Sequence, residues 1–299
     1  MPVNTKAIRK RIKSVSSTRK ITKTMEMVAT SKLKRAQDAV VSSTPYSNLL
    51  VSMMNDLASR VADRSGFPLL RRAEKPERTL IFIVTASRGL CGGFNSNLVR
   101  LGRDTVRAEI AAGRKPVVHM AGKKGIAAFR FQEIPVDRKV LDLSDRPTYE
   151  EAERLAESLT GPFLAGEVDR VLVVYPDFRS LASQPPTVLQ LCPVGDPGAA
   201  GAKAGEAKPG APAEEFLFDP SPRAILEKLL PLYVRTTVYR VLVSAVASEQ
   251  IARRTAMKLA TDNAGEMVTN LTRAYNKARQ AQITQEIAEI IGGAEALKK

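Results

Sequence analysis

The chain lacks most of what chemistry needs. It has no Trp, one His and two Cys among 299 residues. Aromatics make up only 5% of it, too few for a pocket rich in ring contacts. A lone histidine, His119, cannot supply a histidine metal cluster. Cys91 as a nucleophile would need a neighbouring His that the sequence does not offer. The two cysteines are isolated and read as buried thiols of a reducing compartment, not as a disulfide or metal site. No apolar run approaches eighteen residues, so no membrane span is expected. No apolar secretory core follows Met1, so the chain is expected to enter its first helix directly.

Proline and glycine are missing from two long stretches. Between Asn4 and Thr44 there is neither; from Leu232 to Ile291 there is only Gly265. About sixty helical residues would rise roughly 90 Å, too far for an ordinary core. Ile8, Ile12 and Val15, then Ile21, Met25 and Val28, then Leu33, Ala36 and Val40 form an apolar stripe. Val238, Val241, Ala245, Ala252, Ala256, Leu259, Met267, Leu271 and Ala278 form a second one, rich in Ala, which allows close helix axes. The two runs are expected to pair as an antiparallel coiled coil. Pro45 should kink or briefly break the first, which resumes to about Arg64, and Pro231 should kink the chain before the second.

Acidic charge is scarce where basic charge is dense. The chain carries +15 overall. Its first 35 residues hold eleven Lys and Arg against Glu26 alone, a net +10. A one-sign helix calls for an anionic partner: nucleic acid, an anionic membrane or an acidic protein. No aromatic precedes Tyr46, so the stacking groups of many nucleic-acid readers are missing.

The middle of the chain alternates between strand and helix patterns. Thr79–Val84, Pro116–Ala121, Arg138–Leu143, Arg170–Tyr175 and Pro186–Leu191 read as strands. Asn95–Ala112, Lys123–Phe131 and Thr148–Leu164 read as helices. The order predicts an α/β, mostly parallel sheet with one hairpin-like addition. Residues 198–215 are low in complexity and should form a surface loop. Three segments follow: 1–65, an N-terminal coiled-coil helix; 66–219, the α/β domain; and 220–299, a C-terminal coiled-coil helix opened by Ser221-Pro222. Ser87-Arg88-Gly89-Leu90-Cys91-Gly92-Gly93-Phe94-Asn95 lies between a strand and a helix, where phosphates often bind. It matches neither phosphate-loop pattern, and a tight turn is the expected role. No catalytic group, metal cluster or cofactor site is predicted.

Four stretches together resemble the gamma subunit of the rotary F-type ATP synthase. They are Ile8-Arg9-x-Arg11-Ile12-x-Ser14-Val15 continued through Lys20-Ile21-Thr22-Lys23-x-Met25-Glu26-Met27-Val28-Ala29, Arg88 to Asn95, Ala247-Ser248-Glu249-Gln250-x-Ala252-Arg253, and Ile283-Thr284-x-Glu286-x-x-Glu289 with Gly293-Ala294. Ser87 departs from the Asp usual there. The resemblance implies a long antiparallel coiled coil carrying an inserted Rossmann-like domain. It implies a non-catalytic rotor turning inside a hexamer of alpha and beta subunits, beside epsilon and the membrane c-ring. It also implies contacts to the hexamer at Met25, Arg253, Arg279, Gln280, Thr284 and Glu286, and a place on the cytoplasmic side of a bacterial plasma membrane. A basic coiled-coil protein associated with nucleic acid or ribosomes is the alternative.

Overall fold

A computed structural model describes residues 5–60, 66–194 and 221–296. The expected end of the first helix at Arg64 and the 198–215 segment lie outside the described residues. Helix α1 spans Thr5–Arg60 and helix α5 spans Pro222–Ala296. Between them come β1 (Arg78–Val84), α2 (Phe94–Ala111), β2 (Lys115–Ala121), α3 (Lys123–Phe131), β3 (Arg138–Val140), α4 (Tyr149–Leu164), β4 (Arg170–Pro176) and β5 (Pro186–Cys192). Two compact units result, Met1–Thr30 with Arg253–Lys299, and Ser31–Ala252.

In the second unit the five strands run in the order β3-β2-β1-β4-β5. All neighbours are parallel except β4 and β5, which form the antiparallel addition. Strand alternation divides the core in two. Leu80, Phe82 and Val84 face one side with Val171, Val173 and Tyr175, under α4, the last turns of α1 and the first half of α5. Ile81, Ile83, Val118, Met120 and Val174 face the other, under α2 and α3. This is the period of two expected of strands covered on both faces. Leu226, Leu230, Val234, Val238, Val241 and Leu242 bring α5 into the first core. At about 1.5–3 kcal/mol per fully buried side chain they far outweigh the exposed pairing of Arg235 with Glu153 and Glu157, which contributes about 0–1 kcal/mol.

The first unit is an antiparallel helix pair. Thr5 bonds Gln282, Arg19 lies against Gly265, and Thr22 bonds Thr261, so partners descend on α5 as they ascend on α1. The seam differs from the expected stripe. Thr22 and Ala29 are buried, while Ile21 is 60% and Val28 51% exposed. On α5, Met257, Thr261 and Ala264 are buried, whereas Leu259 and Met267 face outward.

Neither proline breaks its helix. Pro45 leaves the Val41 carbonyl without its helical donor, but Val41 is exposed, so water can take that place. Pro231 lies inside α5, which begins at Pro222, well before the proline-free run that opens at Leu232. Ser221 caps it, its Oγ accepting from Ala224 N at 3.3 Å. Strand β3 stops at Val140, short of Leu143. One 18-residue stretch of α5 reaches a mean hydropathy of 1.3, a membrane-length signal that inspection for unbroken apolar runs overlooks; 56% of it is buried within the fold, as in a core helix.

One carboxylate is buried at the end of α2. Glu109 accepts from Arg114 Nε at 2.6 Å and from Thr79 Oγ1 at 2.6 Å, with Arg170 at 3.5 Å. Burial opposes its ionisation, but the Arg114 and Thr79 hydrogen bonds and the two guanidinium charges prevail and hold it below its usual 4.5. His119, buried in β2, is pushed below its usual 6.5 by burial and by Arg138, against the pull of Asp137.

Two glycines should respond to a methyl group in opposite ways. A Cβ on Gly265 would meet the Arg19 guanidinium at an ordinary 3.6 Å, so Gly265→Ala should stabilise by about 0.5–1 kcal/mol. A Cβ on Gly102 would come within 2.6 Å of Ile83, so Gly102→Ala should destabilise by about 1–3 kcal/mol. Urea melts of both variants check the signs. The pH dependence has two windows. The unfolded chain takes a proton on His119 before the folded chain does, so stability should begin to fall as pH drops below 6.5. Glu109's contribution is full above 4.5 and is lost as pH falls through its lower folded value. Glu109→Gln should be less stable at neutral pH by about 2–3 kcal/mol, and its deficit should shrink in acid. A deficit independent of pH would contradict the ion-pair account.

Candidate functional site

The carboxyl ends of the parallel strands are where an α/β sheet usually binds ligand, above all where strand order reverses. Here that is between β1 and β4. The turn after β1 puts Leu90 at φ 62° and Gly92 at φ 54°. Its polar groups are used within the turn and its neighbours. Asn95 Oδ1 accepts from Ala86 N at 2.9 Å, and Phe94 N donates to the Cys91 carbonyl. The first amides of α3 are also taken: Lys124 N donates to the Ala86 carbonyl and Gly125 N to Thr85 Oγ1. Gly122 and Gly125 allow this approach. A Cβ on Gly122 would lie 2.1 Å from the Thr85 carbonyl oxygen, and its φ of +89° is left-handed as well. The amides of Ala86, Phe94, Lys124 and Gly125 thus already have partners within the fold.

Helix α5 occupies the β4 side of the same edge. Ser244 Oγ donates to the Pro176 carbonyl at 2.7 Å and accepts from Phe178 N at 2.8 Å, closing the end of β4. A small cleft of about 90 Å³ remains, bordered by Thr85, Arg88, Gly122, Asp145 and Glu249. Asp145 pairs with Lys32 of α1. Cys91 and Cys192 are both buried free thiols, and burial pushes Cys192 up to about 12, away from the reactive thiolate. His119 Nδ1 is buried without a hydrogen-bond partner among the described residues. No group of three or more potential metal ligands occurs among them either.

The residues expected to contact partners lie on the helix pair. Met25 is half-buried and Arg253 buried, while Arg279, Gln280, Thr284 and Glu286 are exposed. The last four occupy successive turns of α5. Arg279 and Glu286, two turns apart, share a face. Thr284 Oγ1 donates to the Gln280 carbonyl at 2.9 Å, and Gln282 Nε2 donates to Glu286 at 3.0 Å. Beside them Ile283, Ile287, Ile290 and Ile291 make an exposed stripe at helical spacing. Such a stripe is what a helix shows when its cover comes from another chain.

Sequence reasoning missed Ser244 and the Thr22–Thr261 pair. Both hydroxyl sites hide inside apolar helical patterns, where Ser and Thr pass for ordinary filler. Ser244→Ala should remove the partner of the half-buried Phe178 N–H and of the Pro176 carbonyl and cost about 1–3 kcal/mol, measured by denaturant unfolding; Ser244→Thr, which keeps a hydroxyl, tests whether the bond or the space matters. An alanine variant as stable as the parent would show that water replaces the serine.

Comparison with known proteins gives a consistent picture. The ATP synthase family model matches residues 4–297. The ATP synthase gamma chain of Gemmatimonas aurantiaca is 46% identical over 294 residues, 98% of each chain. That of Leptospira biflexa is 43% identical over 97% of this chain and 98% of its own. In fold, the chain resembles one from the Euglena gracilis mitochondrial ATP synthase, solved with OSCP, F1 and c-ring, with a TM-score of 0.65 and 22% identity over 98% of this chain and 94% of that one. A chain from the central stalk and c-ring structure of the Tetrahymena thermophila mitochondrial ATP synthase gives 0.55 and 20%, over 80% and 99%.

Proposed function

The chain belongs to the ATP synthase gamma chain family, and from that premise we propose that it is the central-stalk rotor of a bacterial F-type ATP synthase. The near full-length identity to gamma chains carries this reading. It favours the rotor over a nucleic-acid-associated coiled coil, for which basic charge was the only support.

In this reading the helix pair is the axle. Its α5 end turns inside the hexamer of alpha and beta subunits, and the α/β unit stands near epsilon and the c-ring. The complex sits peripherally on the cytoplasmic side of the plasma membrane. Ion flow turns the ring and the axle with it. The axle presents a different side to each beta subunit, and a ligand or partner shifts a conformational equilibrium only by contacting its states unequally. The exposed isoleucine stripe runs alongside the charged Arg279–Glu286 face, so that one side of the helix carries both apolar and charged groups. ATP chemistry belongs to the beta subunits, as expected of a gamma chain.

Met25 and Arg253 would meet the acidic loop of beta, and Arg279, Gln280, Thr284 and Glu286 the polar surface above it. Removing Arg279 or Glu286 would leave a partner group unsatisfied in a confined place, at a cost of about 1–3 kcal/mol. The free helix should barely respond, since exposed helical pairs contribute about 0.3–0.5 kcal/mol. Arg279→Ala and Glu286→Ala should therefore leave the melting of the free chain nearly unchanged and lower turnover or assembly of the reconstituted complex. Destabilised free chains with normal turnover of the complex would assign both residues a structural role instead.

A further inference from the structure

The α/β unit carries opposite charge on its two helical layers. α4 holds Glu150, Glu151, Glu153 and Glu157 against Arg154. α2 and α3 hold Arg100, Arg103, Arg107, Lys123, Lys124 and Arg130 against Asp104 and Glu109. Glu109 is buried among Thr79, Arg114 and Arg170, and Asp104 is paired with Arg103. Some cations elsewhere in this unit find carboxylates: Arg235 on α4, Lys32 at Asp145, Arg179 at Asp177. Arg100, Arg107, Lys123, Lys124 and Arg130 are exposed and have no ion-pair partner among the described residues. At the far ends of α2 and α3, which pack together on one sheet face, Ile110 and Phe131 are also exposed, Phe131 by 90%.

We propose that the outer face of α2 and α3 docks on the acidic phospholipid headgroups of a membrane surface. Each cation held near an anionic leaflet strengthens binding by about fivefold. Arg130 and Phe131 are adjacent at the end of the layer, so the ring can enter the headgroup region while the guanidinium stays with the phosphates. A protein interface would be expected to place its aromatics centrally and its charges at the rim. Here the cations are spread from Arg100 and Arg107 within α2 to both ends of α3, and the one exposed aromatic stands at the far end. A strand of nucleic acid would call for several aromatics interleaved with the cations; Phe94 and Phe129 are buried, which leaves Phe131 alone at one end. The proposal stands apart from the hexamer contacts of α5, so either can fail alone.

The chain has no tryptophan, so Phe131→Trp creates a single local reporter on the full-length protein. On vesicles of phosphatidylcholine with about 30% phosphatidylglycerol, its emission should shift to the blue, and the shift should vanish near 1 M salt, where the Debye length is ~3 Å. Adding Arg100→Ser, Arg107→Ser and Lys124→Ser should abolish the shift and weaken binding by at least about tenfold. The basic α1 could bind vesicles by itself, but that would leave the reporter in water. Binding without a shift, an equal shift on pure phosphatidylcholine, or a shift that survives the triple substitution would each overturn the proposal. So would a shift produced only by the other subunits of the complex, which would make the face a protein interface. If the tryptophan variant melts below the parent, the triple substitution is read instead by co-sedimentation, with Lys10→Gln, Arg11→Gln and Lys13→Gln added to silence α1. Undiminished co-sedimentation there would again sink the idea.

Discussion

β1 and β4 have no face left for water, and much of the second unit is a response to that. Leu80 through Val84 and Val171 through Tyr175 are all buried. A strand apolar on both faces needs helices on both sides. α2 and α3 cover one side. The other needs more area than α4 alone provides, and the first half of α5 supplies it with Leu and Val side chains from Leu226 to Leu242. A helix committed to that core cannot swing free of the sheet without exposing them. The ion pairs of Arg235 with Glu153 and Glu157 decorate a contact that burial has already fixed.

The same seating settles the chemistry. An open parallel sheet offers a crevice and free amides at its carboxyl edge, the usual starting point for a nucleotide site. In this chain Ser244 of α5 closes the end of β4, and Thr85, Ala86 and Asn95 tie the turn after β1 to the start of α3 and to the sheet. The enzyme-like topology survives as a scaffold whose binding edge has become a joint between sheet and helix.

Much of this was legible from spacing alone. The strands, the inner helices and the lone antiparallel addition follow from runs and alternation, because burial on two faces writes an unmistakable apolar block. The helix pair was legible as a pair, but not in its seam. Positions 22, 29, 36, 43, 50 and 57 follow a seven-residue step, all buried except the half-buried Ser43, with Leu33, Ser47 and Met54 between them. Ile21 and Val28 lie one residue before it. Choosing the largest apolar residue near each expected position moved the stripe sideways, since close-packed helices prefer Ala and Thr where they touch. Pro45 leaves its helix unbroken for a reason that is also hidden in the sequence. A missing hydrogen bond ends a helix only if its carbonyl has nowhere else to turn, and exposure at Val41 is invisible in a sequence.

That displacement changes what the exposed hydrophobes mean. If Ile21, Val28, Leu259 and Met267 filled the seam, the helix pair would be apolar inside and charged outside, complete by itself. Instead small residues hold the helices together, and larger ones, joined by Ile283, Ile287, Ile290 and Ile291, face outward. Burying such side chains stabilises by about 1.5–3 kcal/mol each, but only when a partner arrives. A permanent partner would favour one fixed, matched surface. A rotor meets several equivalent partners in turn, and no single one can bury every side at once. Moderate apolar contacts, distributed around the helix pair and mixed with exposed charges such as Arg279 and Glu286, suit binding that must be released and made again with the next subunit.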